Sequence, residues 1–168
     1  VDSRPWWEQY PEYLWRTLTG DWGVSISRFP TPVSDVIAQQ LPWTILLGLT
    51  SLIVAVIIGN LLGILAAWRR GSFLDSFVPP FLVFLGSFPY FWLAMGLLFL
   101  FGVTLKWAPL SHAYSVGMQP GFNLPFVADV AAHLVLPVIS IVLVSVGGWM
   151  LQMRNTMIST NSEDYILM

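Results

Sequence analysis

The sequence predicts an all-α, polytopic transmembrane helix bundle, and three observations carry the prediction. Of 168 residues, 56% are hydrophobic and only 10% charged, with a mean hydropathy of +0.71. A soluble domain carries about 25% charged residues, so this chain lacks the usual solvating surface. Three stretches long enough to cross a bilayer contain no Asp, Glu, Lys or Arg. One of them places small residues at every fourth position, as helices do when they pack on other helices in lipid.

The same composition excludes several functions. A net charge of −2 with scattered Lys and Arg gives no basic stripe to neutralise phosphates, so no nucleic acid is expected as a partner. Zero cysteines remove disulfides, thiolate metal ligation and cysteine catalysis.

Taken in order, residues 1–42 lie before the first span and hold short amphipathic helices. The run PWWEQYPEYLWRTL at 5–18 reads as a helix started or broken at Pro11 and ended by Gly20. Its aromatic density suits the membrane interface or packing on the bundle. A second short helix is expected over 33–40, after Pro30 and Pro32.

The first span is 43–68, in a region free of charge between Asp35 and Arg69. As a helix it rises about 37 Å at 1.5 Å per residue, more than the ~30 Å hydrocarbon core. Trp43 and Trp68 suit the two interfacial belts. Ser51, Ala55, Gly59, Gly63 and Ala67 form the small-residue stripe and are expected to be a helix-packing face.

A turn over 69–76 leads to a second span, 77–104. Pro79 and Pro80 mark its start, and Pro89 is expected inside it as a kink whose freed carbonyl neighbouring helices cover. The connection 105–130 contains Pro109, Gly117, Pro120, Gly121 and Pro125 and reads as irregular. The third span is 131–153, with Pro137 inside, and 154–168 follows it.

Charge leaves the orientation open. Arg69, Arg70 and Arg154 flank span ends and favour a cytoplasmic side there, yet Arg4, Arg16, Arg28 and Lys106 then lie outside.

No catalytic, cofactor-binding or metal-binding residue is predicted. There is no GxxxxGK[ST] phosphate loop, so this chain is not expected to hydrolyse ATP itself. His112 and His133 lack metal-ligand spacing, and His133 reads as an amphipathic ring at the interface. A Ser87–His133 protease pair has neither fixed geometry nor a recognisable oxyanion hole. The polar residues within the spans either line a path or bond neighbouring helices. Ser87, Pro89, Pro137 and Ser140 are the candidate pathway or hinge positions.

A set of short motifs adds to this reading. These are Gln9-Tyr10, Gly20-Asp21-Trp22-Gly23-Val24-Ser25, and Leu41-Pro42 with Thr44, followed by Gly59, Gly63 and Ala67. Next come Arg70-Gly71-Ser72 with Asp75, then Ser87, Pro89, Phe91 and Trp92, then Trp107 with Pro109-Leu110-Ser111. His133-Leu134 with Leu136-Pro137 follows, and last Arg154, Met157 and Glu163-Asp164-Tyr165. In this order and spacing, nearly end to end, the chain resembles the dipeptide/oligopeptide/nickel permease subunits of ABC importers. Two departures stand out. His112 occupies a position where that family usually has glycine, and Leu151 one where many members have a second arginine.

The resemblance implies the type I permease fold of ABC importers, truncated at both ends, with one helix before Val1 and a coupling loop and two helices after Met168. It implies an inner (plasma) membrane protein with 1–42 and 105–130 outside, and 69–76 and 154 onward inside. It also implies half of a translocation pathway for short peptides, with oligosaccharides or nickel as alternative cargo. The implied partners are a second permease subunit, cytosolic ABC ATPase subunits, an extracytoplasmic substrate-binding protein and the lipid bilayer. Glu163, Asp164 and Tyr165 would lead into the ATPase-coupling segment. A passive channel or a structural membrane subunit without ATP coupling is the rival from another class.

Overall fold

Proline and glycine punctuate the chain, and the helices begin and end around them. The computed structural model describes residues 4–160 and divides into two compact units, Val1–Ile45 and Leu46–Met168.

In the first unit, α1 is Trp6–Leu18. The Pro5 carbonyl opens it by accepting from the Glu8 and Gln9 N–H groups at 3.1 and 3.3 Å. Pro11 lies inside α1 and neither starts nor breaks it. Its missing N–H forfeits one helical bond, while Glu12 braces the turn by pairing with Arg16 at 2.6 Å and Arg4 at 2.7 Å. The helix stops in a Schellman closure: Gly20 N–H donates to the Thr17 carbonyl at 3.2 Å and Asp21 N–H to the Arg16 carbonyl at 2.8 Å. Gly20 takes φ +87°, which a side chain would resist. Val24 then bridges to Pro32, with Ser25 N–H donating to Thr31 at 2.8 Å, and the chain turns into α2.

Helix α2, Val33–Trp68, runs without interruption through Pro42, so the short helix expected over 33–40 is its first part. Pro42 deletes one backbone bond. In an apolar medium every other backbone group is still best satisfied within the helix, which continues.

In the second unit, a turn at Gly71 (φ +75°) precedes α3, Phe73–Ser76, and α4, Val78–Gly86, which carries prolines in its first turn. Helix α5, Tyr90–Leu97, passes into a π-helical segment, Leu98–Thr104. There the Leu105 N–H donates five residues back to Leu100 at 2.9 Å and the Thr104 hydroxyl donates to Phe99 at 3.1 Å. Helix α6, Leu124–Thr160, begins well before the third expected span, because Asn123 caps it by accepting from the Phe126 N–H at 2.9 Å. Among the described residues, α2 and α6 are each long and apolar enough to cross a membrane, and α3–α4 with α5 and the π segment form a bent third candidate.

The packing gives the helix directions. A Cβ on Gly59 would meet Trp149 Cβ at 2.5 Å, and one on Gly63 would meet the Met150 carbonyl at 2.6 Å and Met153 Cβ at 2.8 Å. Both numbers rise together, so α2 and α6 run parallel here. Gly147 lies against Leu82, where a Cβ would stand 3.0 Å from its carbonyl, and Gly86 lies against Val144, so α4 runs antiparallel to α6. The buried face of α2 consists of Ser51, Ala55, Gly59, Gly63, Ala66 and Ala67. With Leu82, Val138, Val142, Val146 and Met150, its alanines Ala55 and Ala66 form the core. Ile53, Ile57, Leu61 and Trp68 are exposed, an arrangement suited to lipid and opposite to that of a soluble helix.

Candidate functional site

Three features of the second unit form the candidate site: a helix break, a cavity, and an ion pair at the other end of the same helices.

The break falls at Ser87–Phe88–Pro89, where the segments Phe73–Gly86 and Tyr90–Thr104 meet at 96°. The expectation of a kinked but continuous helix is therefore corrected: Pro89 is the N-cap of α5 (φ −58°, ψ 130°), not an interior residue. Two causes combine. Pro89 has no N–H to continue the ladder, and it biases Phe88 away from helical geometry. The carbonyls left behind are satisfied by the chain itself, not by neighbouring helices. Phe88 N–H donates to Leu85 at 3.2 Å, Ser87 N–H to Phe84 at 3.1 Å, and the Ser87 hydroxyl to Val83 at 3.1 Å.

Beside the break lies a cavity of about 280 Å³. Its wall is mostly apolar, with Leu47 from α2, Ala94 and Leu98 from α5 and its extension, and Leu136 and Ile141 from α6. Tyr90, Ser111, His112, His133 and Ser140 add polar groups. The connection after the π segment folds back to close one side, and a Cβ on Gly102 would meet Leu110 at 2.6 Å. Asp129 ties this connection to α6 by accepting from both the N–H and the hydroxyl of Ser115 at 2.7 Å. His133, buried, is oriented by its Nδ1, which donates to the Asp129 carbonyl at 2.8 Å. His112 takes φ +68° and bonds Ser111 at 2.8 Å. That backbone conformation favours glycine, and histidine is among the few other residues that adopt it.

At the opposite end, Arg154 Nε donates to Asp75 Oδ1 at 2.5 Å. The second carboxylate oxygen of Asp75 accepts from the Gly71 N–H at 3.0 Å, and Asp75 N–H donates to the Ser72 hydroxyl at 3.4 Å. The Asp75 carboxylate is thus fully engaged at the first turn of α3, with its side chain 10% exposed.

The residues singled out from sequence fall in different places. Ser51, Ala55, Gly59, Gly63 and Ala67 are buried on α2. Pro137 and Ser140 line the cavity, the Ser140 hydroxyl donating to the Pro137 carbonyl at 2.7 Å. Ser87 and Pro89 form the break and do not line the cavity. Glu163, Asp164 and Tyr165 lie outside the described residues. Sequence reasoning did not find the Asp75–Arg154 pair, whose members are 79 residues apart. It also read His133 as an interfacial ring; the Asp129 one turn earlier was the available signal that its ring is oriented.

Comparison with known proteins gives one family and several relatives. Residues 59–168 match the family described as "Binding-protein-dependent transport system inner membrane component". A peptide permease protein of Brucella suis biovar 1 is 37% identical over 98% of this chain and 50% of its own length. The oligopeptide transport system permease protein AppB of Bacillus subtilis is 34% identical over 96% of this chain and 50% of its own. The dipeptide transport system permease protein DppB of Escherichia coli K12 is 30% identical over 98% of this chain and 53% of its own. The chain spans about half the length of these curated relatives.

Proposed function

The chain belongs to the family of binding-protein-dependent transport system inner membrane components, and from that premise we propose that it forms half of the translocation pathway of an ATP-driven importer of short peptides. The observation that carries this reading is the likeness, over 96–98% of the chain, to relatives whose names all specify peptide, oligopeptide or dipeptide transport. In this reading a second permease completes the path, an extracytoplasmic protein delivers the peptide, and cytosolic ATPases supply the free energy.

The proposed orientation puts Arg69, Arg70 and the Asp75–Arg154 pair on the cytoplasmic side, and the cavity with its covering connection on the outer side. Two features support it. Arg69 and Arg70 directly follow a span, as cytoplasmic arginines do. Arg154 is held at the same end of the bundle by its bond to Asp75. Glu163, Asp164 and Tyr165 would continue from α6 into the segment that meets the ATPase. Alternating access then needs one block of helices to move against another, and the break at 87–89 lets α5 run in a direction different from α4 while both pack on α6.

The test is uptake by the full-length complex in proteoliposomes, supplied with binding protein and labelled di- and tripeptides or oligosaccharides. Peptide accumulation above equilibrium that requires ATP is the expected result. Equilibration without ATP would support a passive channel, and accumulation of oligosaccharide alone would replace the cargo class.

A further inference from the structure

Two kinds of contact hold α4 to α6, and they differ in what they resist. Along their length the helices meet through glycine. Gly147 lies under Leu82, and Gly86 under the Val144 carbonyl. The glycines allow close approach, and Leu82 packs with Val142, Val146 and Met150 beside them, an apolar contact that fixes no single direction by hydrogen bonding. The second contact is the Asp75–Arg154 pair. Its two side chains are 10% and 26% exposed, and it lies where α3 leads into α4 and where α6 runs on toward Thr160. Asp75 is also fixed within its own turn, since its other oxygen accepts from Gly71 N–H and its N–H bonds Ser72. The guanidinium is therefore bound to a group that cannot rotate away. This is a directional contact, and it resists sliding and rotation together.

We propose that Asp75 and Arg154 are positioning residues of the transport cycle: their ion pair locks α3–α4 to α6, so that force delivered beyond residue 154 moves both helices as one body. This rests on the importer reading above. The lock is placed to have leverage: it lies at the end of α6 nearest the proposed coupling segment and at the opposite end of the bundle from the cavity. A shift in register there is carried along α4 to Gly86 and the break. Without the lock, only apolar packing sets the register of α6 on α4, and ATP is hydrolysed without opening the path.

The test uses the full-length complex in proteoliposomes and compares wild type with D75N, R154Q and R154K, reading peptide imported per ATP hydrolysed. Asparagine keeps an oxygen for Gly71 N–H and removes the charge, so the turn is retained and only the lock is lost. The expected result is that D75N and R154Q retain basal and peptide-stimulated ATPase activity within about twofold, with import per ATP down at least about tenfold. R154K, which keeps the charge, recovers much of the coupling. A purely structural role predicts that ATPase and import fall in parallel with the yield of complex, and that result overturns the proposal. So does wild-type stoichiometry in D75N.

A second measurement does not depend on cargo. These 168 residues have no cysteine, and in a complex whose other cysteines are replaced, spin labels at V83C on α4 and V135C on α6 report the distance between those helices. That distance stays constant through ATP binding and hydrolysis in the wild type, and its distribution broadens in D75N. A wild-type distance that changes during the cycle overturns the lock. If the distances behave as expected but no peptide is imported, the lock stands and the cargo assignment fails.

Discussion

The two ends of the second unit are built from the same helices and have opposite character. At the end with Asp75 and Arg154, close contacts are made by small residues and engaged charge. Gly63 meets the backbone of α6, and both oxygens of Asp75 are occupied. At the other end, Pro89 interrupts one helix, a π segment widens its continuation, Pro137 interrupts the bonding of α6, and a cavity of about 280 Å³ remains. The difference teaches that rigidity here is local and set by residue type. Glycine with a paired charge makes one end tight, and proline with irregular backbone leaves the other slack. Under the proposed importer reading, alternating access has use for both.

The largest expected effect comes from breaking the tight end. Replacing Gly59 and Gly63 with leucine puts one Cβ 2.5 Å from Trp149 Cβ and the other 2.6 Å from the Met150 carbonyl, atoms whose positions the α6 backbone fixes. Overpacking costs about 1–3 kcal/mol per site. Import by the full-length complex should fall to background while membrane insertion, read by labelling of the connecting segments, is unchanged. Next is a change that stiffens the slack end. Pro89→Ala restores an N–H and removes the bias on Phe88, so α4 and α5 should straighten toward one helix. Spin labels at V83C and M95C should move apart, and import should fall severalfold. A smaller effect is expected between the ends. In Gly147→Ala the new methyl stands 3.0 Å from the Leu82 backbone, and a shift of α4 should lower stability by about 1 kcal/mol. Thermal unfolding in detergent would show it as a drop of a few degrees.

The smallest effect lies outside both ends and serves as a control. Glu12 in α1 has its pKa held below the ordinary carboxylate value, chiefly by its hydrogen bond with Arg4, then by the charges of Arg4 and Arg16. A lowered folded-state pKa means the stabilisation is present above the ordinary value and is lost as pH falls through the lowered one. Hydrogen exchange in α1 should therefore speed up at acid pH, and Glu12→Gln should remove that dependence. Import at neutral pH should be unaffected by the substitution. A large import defect would tie α1 to the transport cycle.

Much of the fold was legible because its causes are local. Absence of charge marks the membrane segments, and Gly20, Pro79 with Pro80, and Gly71 act on their own turns. The stripe from Ser51 to Ala67 is a period-four pattern, readable before any partner is known. What escaped depends on competition between local signals or on distant pairing. Pro11 was expected to start or break a helix and 33–40 to be a short helix of its own, but backbone bonding carries α1 through Pro11 and α2 through Pro42. Pro89 was expected only to kink, but acts together with Ser87 and the restriction on Phe88. Asn123 and Ser115 begin α6 earlier than hydropathy suggests, because Asp129 has its charge satisfied there. The cavity and the Asp75–Arg154 pair bring together residues from separate helices, which no local pattern encodes.

The buried face of α2, made only of serine, alanine and glycine, also has a thermodynamic consequence. In a soluble protein, unfolding exposes apolar side chains to water and raises the heat capacity, which gives stability its curved dependence on temperature. When α2 and α6 separate within a bilayer, the surface between them meets lipid chains, and the side chains already exposed continue to do so. Little apolar area reaches water, so the heat-capacity change is small. The association of these helices should therefore vary almost linearly with temperature, without the weakening on cooling that accompanies the hydrophobic effect.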